Sequence, residues 1–134
     1  MRSTKILLIS IVLLAACFRL PFLDKYPNGF SGDEAIQGYT AYSILKTGKD
    51  EWGEFLPIFP RSFGDYKPPV YTYLTIPSIS VFGLNEFAVR FPSAVIGVLT
   101  IIAIFFLTKE LFKKESIALI AAFLLTISPW HFQY

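Results

Sequence analysis

Two residue types that organise small stapled or metal-built domains are nearly missing: the sequence has one cysteine, Cys17, and one histidine, His131. An internal disulfide framework is excluded, and so is a Cys/His zinc cluster. A protein-bound metal would have to rest on carboxylates; none is predicted, and no cofactor is expected. Charge is scarce too, at 16% of residues, and the net value of +2 comes from 12 basic and 10 acidic side chains with no Lys/Arg face among them. Nucleic acid is therefore not an expected partner. No glycine-rich turn follows a strand pattern, so nothing resembles a nucleotide-phosphate loop, which argues against a cytoplasmic nucleotide-binding transferase. What the chain has in quantity is apolar side chains, 54% of its residues, giving a mean hydropathy of +0.53. Such a chain is read as an integral membrane protein.

The charges that exist are unevenly placed. Seven of the ten acids (Asp24, Asp33, Glu34, Asp50, Glu51, Glu54 and Asp65) fall between residues 24 and 67, which separates the first apolar run from the later ones. Residues 6–18 are apolar or small, and if Arg19 snorkels the run reaches Leu23, long enough to span a bilayer. Residues 91–108 and 116–134 form two further uncharged stretches, separated by a short segment holding Lys109, Lys113 and Lys114. Residues 68–85 also lack charge but contain Pro68, Pro69, Pro77 and Gly83. Lys/Arg-rich loops favour the cytoplasm. Arg2 and Lys5 then place the N-terminus inside, and the basic 109–114 segment returns inside only if residues 70–83 lie along the outer interface instead of crossing. The expected architecture is all-α: three transmembrane helices at about residues 5–23, 88–108 and 116–134, and two juxtamembrane helices within an outer loop at 24–87. Tyr71 and Tyr73 suit an interface, as do Trp130 and Tyr134 at the outer end of the third span, with His131 at headgroup level. An alternative at the N-terminus is a lipoprotein signal, because Leu14-Ala15-Ala16-Cys17 follows a basic start and an apolar run.

The outer loop holds the candidate chemistry. Ser31-Gly32-Asp33-Glu34 has the form of a capping box, opening a helix that Gly48 ends. Ile36, Tyr39 and Ser43 share one face of it, with Tyr42 and Leu45 alongside, which lets it rest on the membrane or on later spans. Acids in a first helical turn complement the macrodipole whether or not they react. The functional alternative makes Asp33 a general base at the membrane boundary. Further on, Pro68 and Pro69 fix the backbone where the chain enters the second loop helix, holding Lys67 at its N-terminal end. Ammonium and helix terminus together suit a phosphate, although a snorkelling lysine would look the same. Tyr66 beside Lys67, and Arg90, complete the substrate-binding candidates. Arg90 also reads as an interface anchor able to pair with Glu86 at i, i+4.

These pieces, in order and spacing, resemble the dolichyl-phosphate-mannose protein mannosyltransferase-like family of GT-C glycosyltransferases, whose bacterial relatives include the lipid A aminoarabinose transferase. The resemblance rests on Phe30-Ser31-Gly32-Asp33-Glu34-Ala35, on Ala41 to Gly48, on Tyr66-Lys67-Pro68-Pro69-Val70-Tyr71-Thr72-Tyr73-Leu74, and on Glu86 to Ala94, and it extends to Ser128-Pro129-Trp130-His131. It implies an outward-facing active site that moves a sugar, with inversion, from a polyprenyl-phosphate carrier to a lipid, protein or polysaccharide acceptor. Asp33 matches the family's catalytic aspartate, Glu34 its partner acid, and Lys67 the lysine that helps hold the donor phosphate. The family continues with further spans, so the 134 residues are expected to be an N-terminal part, inactive alone. A non-catalytic multi-span scaffold or subunit is the alternative outside the family.

Overall fold

The computed structural model describes residues 2–25, 28–61 and 64–133. Among these, secondary structure is helical: α1 (Arg2–Arg19), α2 (Gly32–Thr47), α3 (Pro69–Phe82), α4 (Glu86–Phe112), α5 (Glu115–Ile127) and α6 (Pro129–Gln133). Two isolated bridges, Lys49 with Phe55 and Arg61 with Tyr66, are the extended pairings described. The chain divides into two compact units. One comprises Met1–Pro21 with Ser93–Tyr134, and the other Phe22–Pro92, so α4 contributes its first residues to the second unit and the rest to the first. One described helix, α4, is long and apolar enough to cross a membrane by length and composition.

The first unit is built on small residues. Ala15 of α1 and Ala118 and Ala122 of α5 are wholly buried with Ile101 and Phe105 of α4, while Leu8, Ile11, Val12, Ile104 and Leu119 pack around them. Alanines at i and i+4 let helix backbones approach closely. The large apolar side chains Ile6, Leu7, Ile9, Leu13, Phe106, Leu107, Ile120 and Leu124 point outward. Thr4 Oγ1 and Lys109 Nζ both donate to Glu115, each at 2.6 Å, tying α1 and the end of α4 to the start of α5.

Three expectations for this unit are corrected. The helix expected over residues 116–134 is two: Pro129 disfavours a helical Ser128, which adopts φ −70°, ψ 117°, and α5 stops at Ile127 after 13 residues, roughly 20 Å at about 1.5 Å per residue. Tyr134 lies outside the described residues. Likewise α1 ends at Arg19 and not at Leu23, because Pro21 cannot donate to a helix ladder and restricts Leu20. Nor does Arg19 snorkel. It is 4% exposed, and its guanidinium donates to Ala15 O, Thr126 O and Leu125 O and meets His131 Nδ1 at 2.6 Å. A cation placed on the last carbonyls of α5 satisfies acceptors that the break at Ser128 leaves open. Gly97 makes room: a Cβ there would meet Arg19 Cδ at 3.2 Å. His131 is thus a half-buried partner of Arg19.

In the second unit the ends of α2 follow from local chemistry. Ser31 is the N-cap with the reciprocal capping box in place, and Gly48 closes the helix in the left-handed conformation (φ 71°) with its N–H on Ile44 O. The α3 bounds Pro69–Phe82 fall one residue from expectation, proline opening the helix and Gly83 closing it. The faces differ. α2 buries Gly38, Thr40, Ala41 and Ile44, whereas Tyr39 of the expected face is exposed. α3 buries Thr72, Thr75, Ser78 and Ile79 and exposes Val70, Leu74, Val81 and Phe82. Gly38 permits a close approach to the first turn of α4, since a Cβ there would lie 2.6 Å from Val89 Cγ2.

α4 extends past the expected 88–108 at both ends, despite Pro92 within it. A proline withholds the hydrogen bond normally given to the carbonyl four residues earlier. That carbonyl, Ala88 O, instead accepts from Ser78 Oγ at 2.6 Å, and Val89 O beside it accepts from Tyr71 Oη at 2.8 Å. Tyr73 Oη donates to Pro57 O. Tyr71 and Tyr73 are therefore half-buried braces.

Candidate functional site

The site is assembled at the first turn of α2. With Ser31 as N-cap, Asp33 and Glu34 occupy the second and third helical positions, about 100° apart around the axis. Their partners differ accordingly. Asp33 Oδ1 is 2.9 Å from Lys67 Nζ, at a place where the Asp33 side chain is 73% exposed and the Lys67 side chain 16%. Asp65 Oδ2 approaches the same ammonium at 3.7 Å. Lys67 is brought there by its backbone: its N–H donates to Pro60 O, Arg61 and Tyr66 form a bridge, and Asp65 Oδ1 accepts from Tyr66 N. Hydrogen bonding to Asp33, reinforced by the charges of Asp33 and Asp65, pushes the Lys67 ammonium above the ordinary lysine value. Tyr66 is exposed beside it.

Glu34 faces inward. Its Oε2 accepts from Ser31 N at 2.9 Å, closing the capping box, while Arg90 Nε donates to Oε1 at 2.7 Å and Arg90 Nη2 to Oε2 at 3.1 Å. The Arg90 hydrogen bond, helped by Ser31, holds the Glu34 carboxyl below the usual carboxylate range against the opposing effect of burial. Arg90 also donates from Nη1 to Leu23 O at 2.9 Å and from Nη2 to Gly29 O at 2.6 Å, and it lies over the Phe30 ring. At 6% exposed, Arg90 turns its guanidinium onto these groups, with Glu34 as its ion-pair partner. Glu86 lines a shallow depression with Asp24, Phe82, Asn85 and Phe87.

The structure thus brings Asp33, Lys67 and Tyr66 to one exposed rim and places Glu34 and Arg90 beneath it. The Glu34–Arg90 pairing was missed in the sequence. The available signal was that Arg90 is the one cation between Lys67 and Lys109, so that a buried position would need an acid from elsewhere. Among the described residues no group of three or more His, Cys, Asp or Glu side chains is gathered as a metal site. An exposed carboxylate beside the ammonium of a largely covered lysine side chain offers a proton acceptor and an anion contact within one substrate's reach.

A family model described as dolichyl-phosphate-mannose-protein mannosyltransferase matches residues 66–134. The chain is 30% identical to dolichyl-phosphooligosaccharide-protein glycotransferase 2 of Archaeoglobus fulgidus over 96% of its own length and 23% of that protein's. It is 28% identical to an uncharacterized protein of Aquifex aeolicus over 72% of its own length and 18% of that protein's. The chain therefore spans about a fifth of the length of the curated relatives it matches. No solved structure matches it significantly.

Proposed function

Since the chain belongs to the dolichyl-phosphate-mannose-protein mannosyltransferase family, we propose that it forms the catalytic rim of a GT-C glycosyltransferase, which moves a sugar from a polyprenyl-phosphate carrier to an acceptor on the outer face of the membrane. The observation that carries the proposal is the 2.9 Å contact between Asp33 and Lys67, two residues 34 positions apart in the sequence. In the reaction the acceptor's hydroxyl or amine attacks the anomeric carbon and gives its proton to Asp33. The bond from that carbon to the phosphate oxygen breaks with inversion, and the departing polyprenyl phosphate carries its new charge toward Lys67. Asp33 and Lys67 pair with each other in the resting state, so donor binding exchanges a carboxylate for a phosphate at the ammonium and frees Asp33 for the acceptor.

The assay that tests this supplies full-length protein in membrane vesicles with a synthetic polyprenyl-phosphate-mannose or the matching nucleotide sugar. Transfer from the lipid-linked donor alone is the expected result. Transfer from the nucleotide sugar alone would defeat the proposal.

We place three spans on α1, α4 and α5, with the loop that carries α2 and α3 on the outer face. The inverted faces of α2 and α3 support an interfacial position, because helices that bury Thr, Ser, Ala and Gly while exposing Val70, Leu74 and Val81 suit lipid better than water. Exposed Trp52, Phe55, Ile58 and Phe59 in the connecting loop fit the same surroundings. Single cysteines at Ser80 and Ser116 in a background lacking Cys17 report the arrangement: an impermeant thiol reagent added outside is expected to reach Ser80→Cys only. Labelling of Ser116→Cys from outside would overturn the topology.

A further inference from the structure

Asp33 and Glu34 are adjacent acids with opposite surroundings, one on an exposed rim and the other tied down by Arg90. We propose that Glu34 and Arg90 are positioning residues: their half-buried pair fixes the first turn of α2 so that Asp33 is held against Lys67. The proposal rests on the reading of Asp33 and Lys67 as the transfer pair, and it removes Glu34 from direct chemistry.

The geometry supports this in three ways. First, both Glu34 oxygens are engaged. Oε1 accepts from Arg90, and Oε2 accepts from Arg90 and from Ser31 N, so the carboxylate is committed to structure on both sides. Second, Arg90 joins three separate pieces of chain with one planar group: the Glu34 side chain, Leu23 O and Gly29 O. A guanidinium can do this because its five donors are fixed in a fork, whereas a lysine has one donor atom on a flexible stem. Third, Asp33 follows whatever Glu34 does, since the two share a helical turn that the capping box closes. A shift of that turn by about 1 Å would lengthen the 2.9 Å Asp33–Lys67 contact into a looser ion pair. Displacements of this size in positioning groups are costly to catalysis, up to about 10²-fold.

The test reads Lys67 directly and needs no substrate. Full-length protein in detergent is treated with a small amine-acylating reagent across a pH series, and modification of each lysine is measured by mass spectrometry. Lys46 and Lys49 serve as internal references. In Arg90→Gln the Lys67 midpoint is expected to fall toward the ordinary lysine value, with acylation about tenfold faster for each pH unit by which the midpoint drops. The references should keep their rates. Glu34→Gln retains an acceptor for Ser31 N and for Arg90 while removing the charge, so it should give an intermediate shift; it also carries the test if Arg90→Gln does not fold. In transfer assays Arg90→Gln should lower kcat more than it raises the donor KM.

An unchanged Lys67 profile in the folded variant overturns the proposal, because the two pairs would then be independent. Equal acceleration at Lys46 and Lys49 also overturns it, since that reports general loosening and not a displaced Asp33. If the chain transfers no sugar but Lys67 responds as expected, the transferase reading fails while the coupling of the two pairs stands.

Discussion

Asp33→Asn in the full-length protein is expected to reduce sugar transfer by about 10² to 10⁴, the usual range for a lost general base, while leaving insertion and folding intact. The separation of the two effects follows from the geometry. Asparagine has the shape of aspartate and can still accept from Lys67 Nζ, so the local contact at 2.9 Å persists as a weaker hydrogen bond. The capping box depends on Ser31 and Glu34 and not on Asp33. What stability is lost comes from one exposed first-turn carboxylate, about 0.3–1 kcal/mol. The amide cannot take the acceptor's proton. The measurement compares initial transfer rates with the thermal midpoint of the purified protein: a large fall in rate with an almost unchanged midpoint is expected. Wild-type activity in Asp33→Asn would remove Asp33 from the role of base, and a collapsed midpoint would make it a structural residue.

How far the site could be read from the sequence depended on whether the deciding interactions were local. α2 was legible to within a residue because its start and stop are short-range chemistry: a hydroxyl and a carboxylate three residues apart, and a glycine able to take positive φ. α3 was legible for the same reason, between Pro69 and Gly83. Which side of each helix is buried was not legible. An amphipathic reading assumes that large apolar side chains face the protein interior, whereas these two helices meet largely through small and hydroxyl-bearing residues that permit close backbone approach. Hence Gly38, Ala41 and Thr75 are inside and Tyr39, Leu74 and Val81 outside. The two arginines failed for a related reason. Arg19 was read as snorkelling and Arg90 as an interface anchor within reach of Glu86, yet each finds partners more than fifty residues away, Thr126 and His131 for one and Glu34 for the other. Pairings at such separations leave no periodic trace. The break at Ser128 was locally signalled by Pro129, and the lack of charge over residues 116–134 obscured it.

Lys67→Gln is expected to lower kcat/KM for the lipid-linked donor by about 10² to 10³, comparable to removing one preorganised donor from an oxyanion site. The loss should appear in both donor parameters, a higher KM because the bound phosphate loses its counter-charge and a lower kcat because the leaving group gains charge as it departs. The acceptor KM should stay unchanged, which separates this variant from Asp33→Asn. Arginine is not an equivalent replacement: it keeps the charge, but its planar fork is wider than the ammonium of a side chain that is only 16% exposed and meets Asp33 and Asp65. Lys67→Arg should therefore restore donor binding more than it restores kcat. The pH dependence has a definite sign. Because Asp33 raises the Lys67 pKa, the ammonium and the ion pair it makes are fully present below the ordinary lysine value of about 10.4 and are lost only as pH rises through the higher folded value. The alkaline limb of the wild-type transfer profile should accordingly begin above that ordinary value, and in Asp33→Asn any residual transfer should lose its alkaline limb at lower pH, since the group that holds the proton on Lys67 is gone. A Lys67→Gln enzyme with the wild-type donor KM and kcat would show that the phosphate is held elsewhere, and the contact at the start of α2 would then be an ion pair with no part in the transfer.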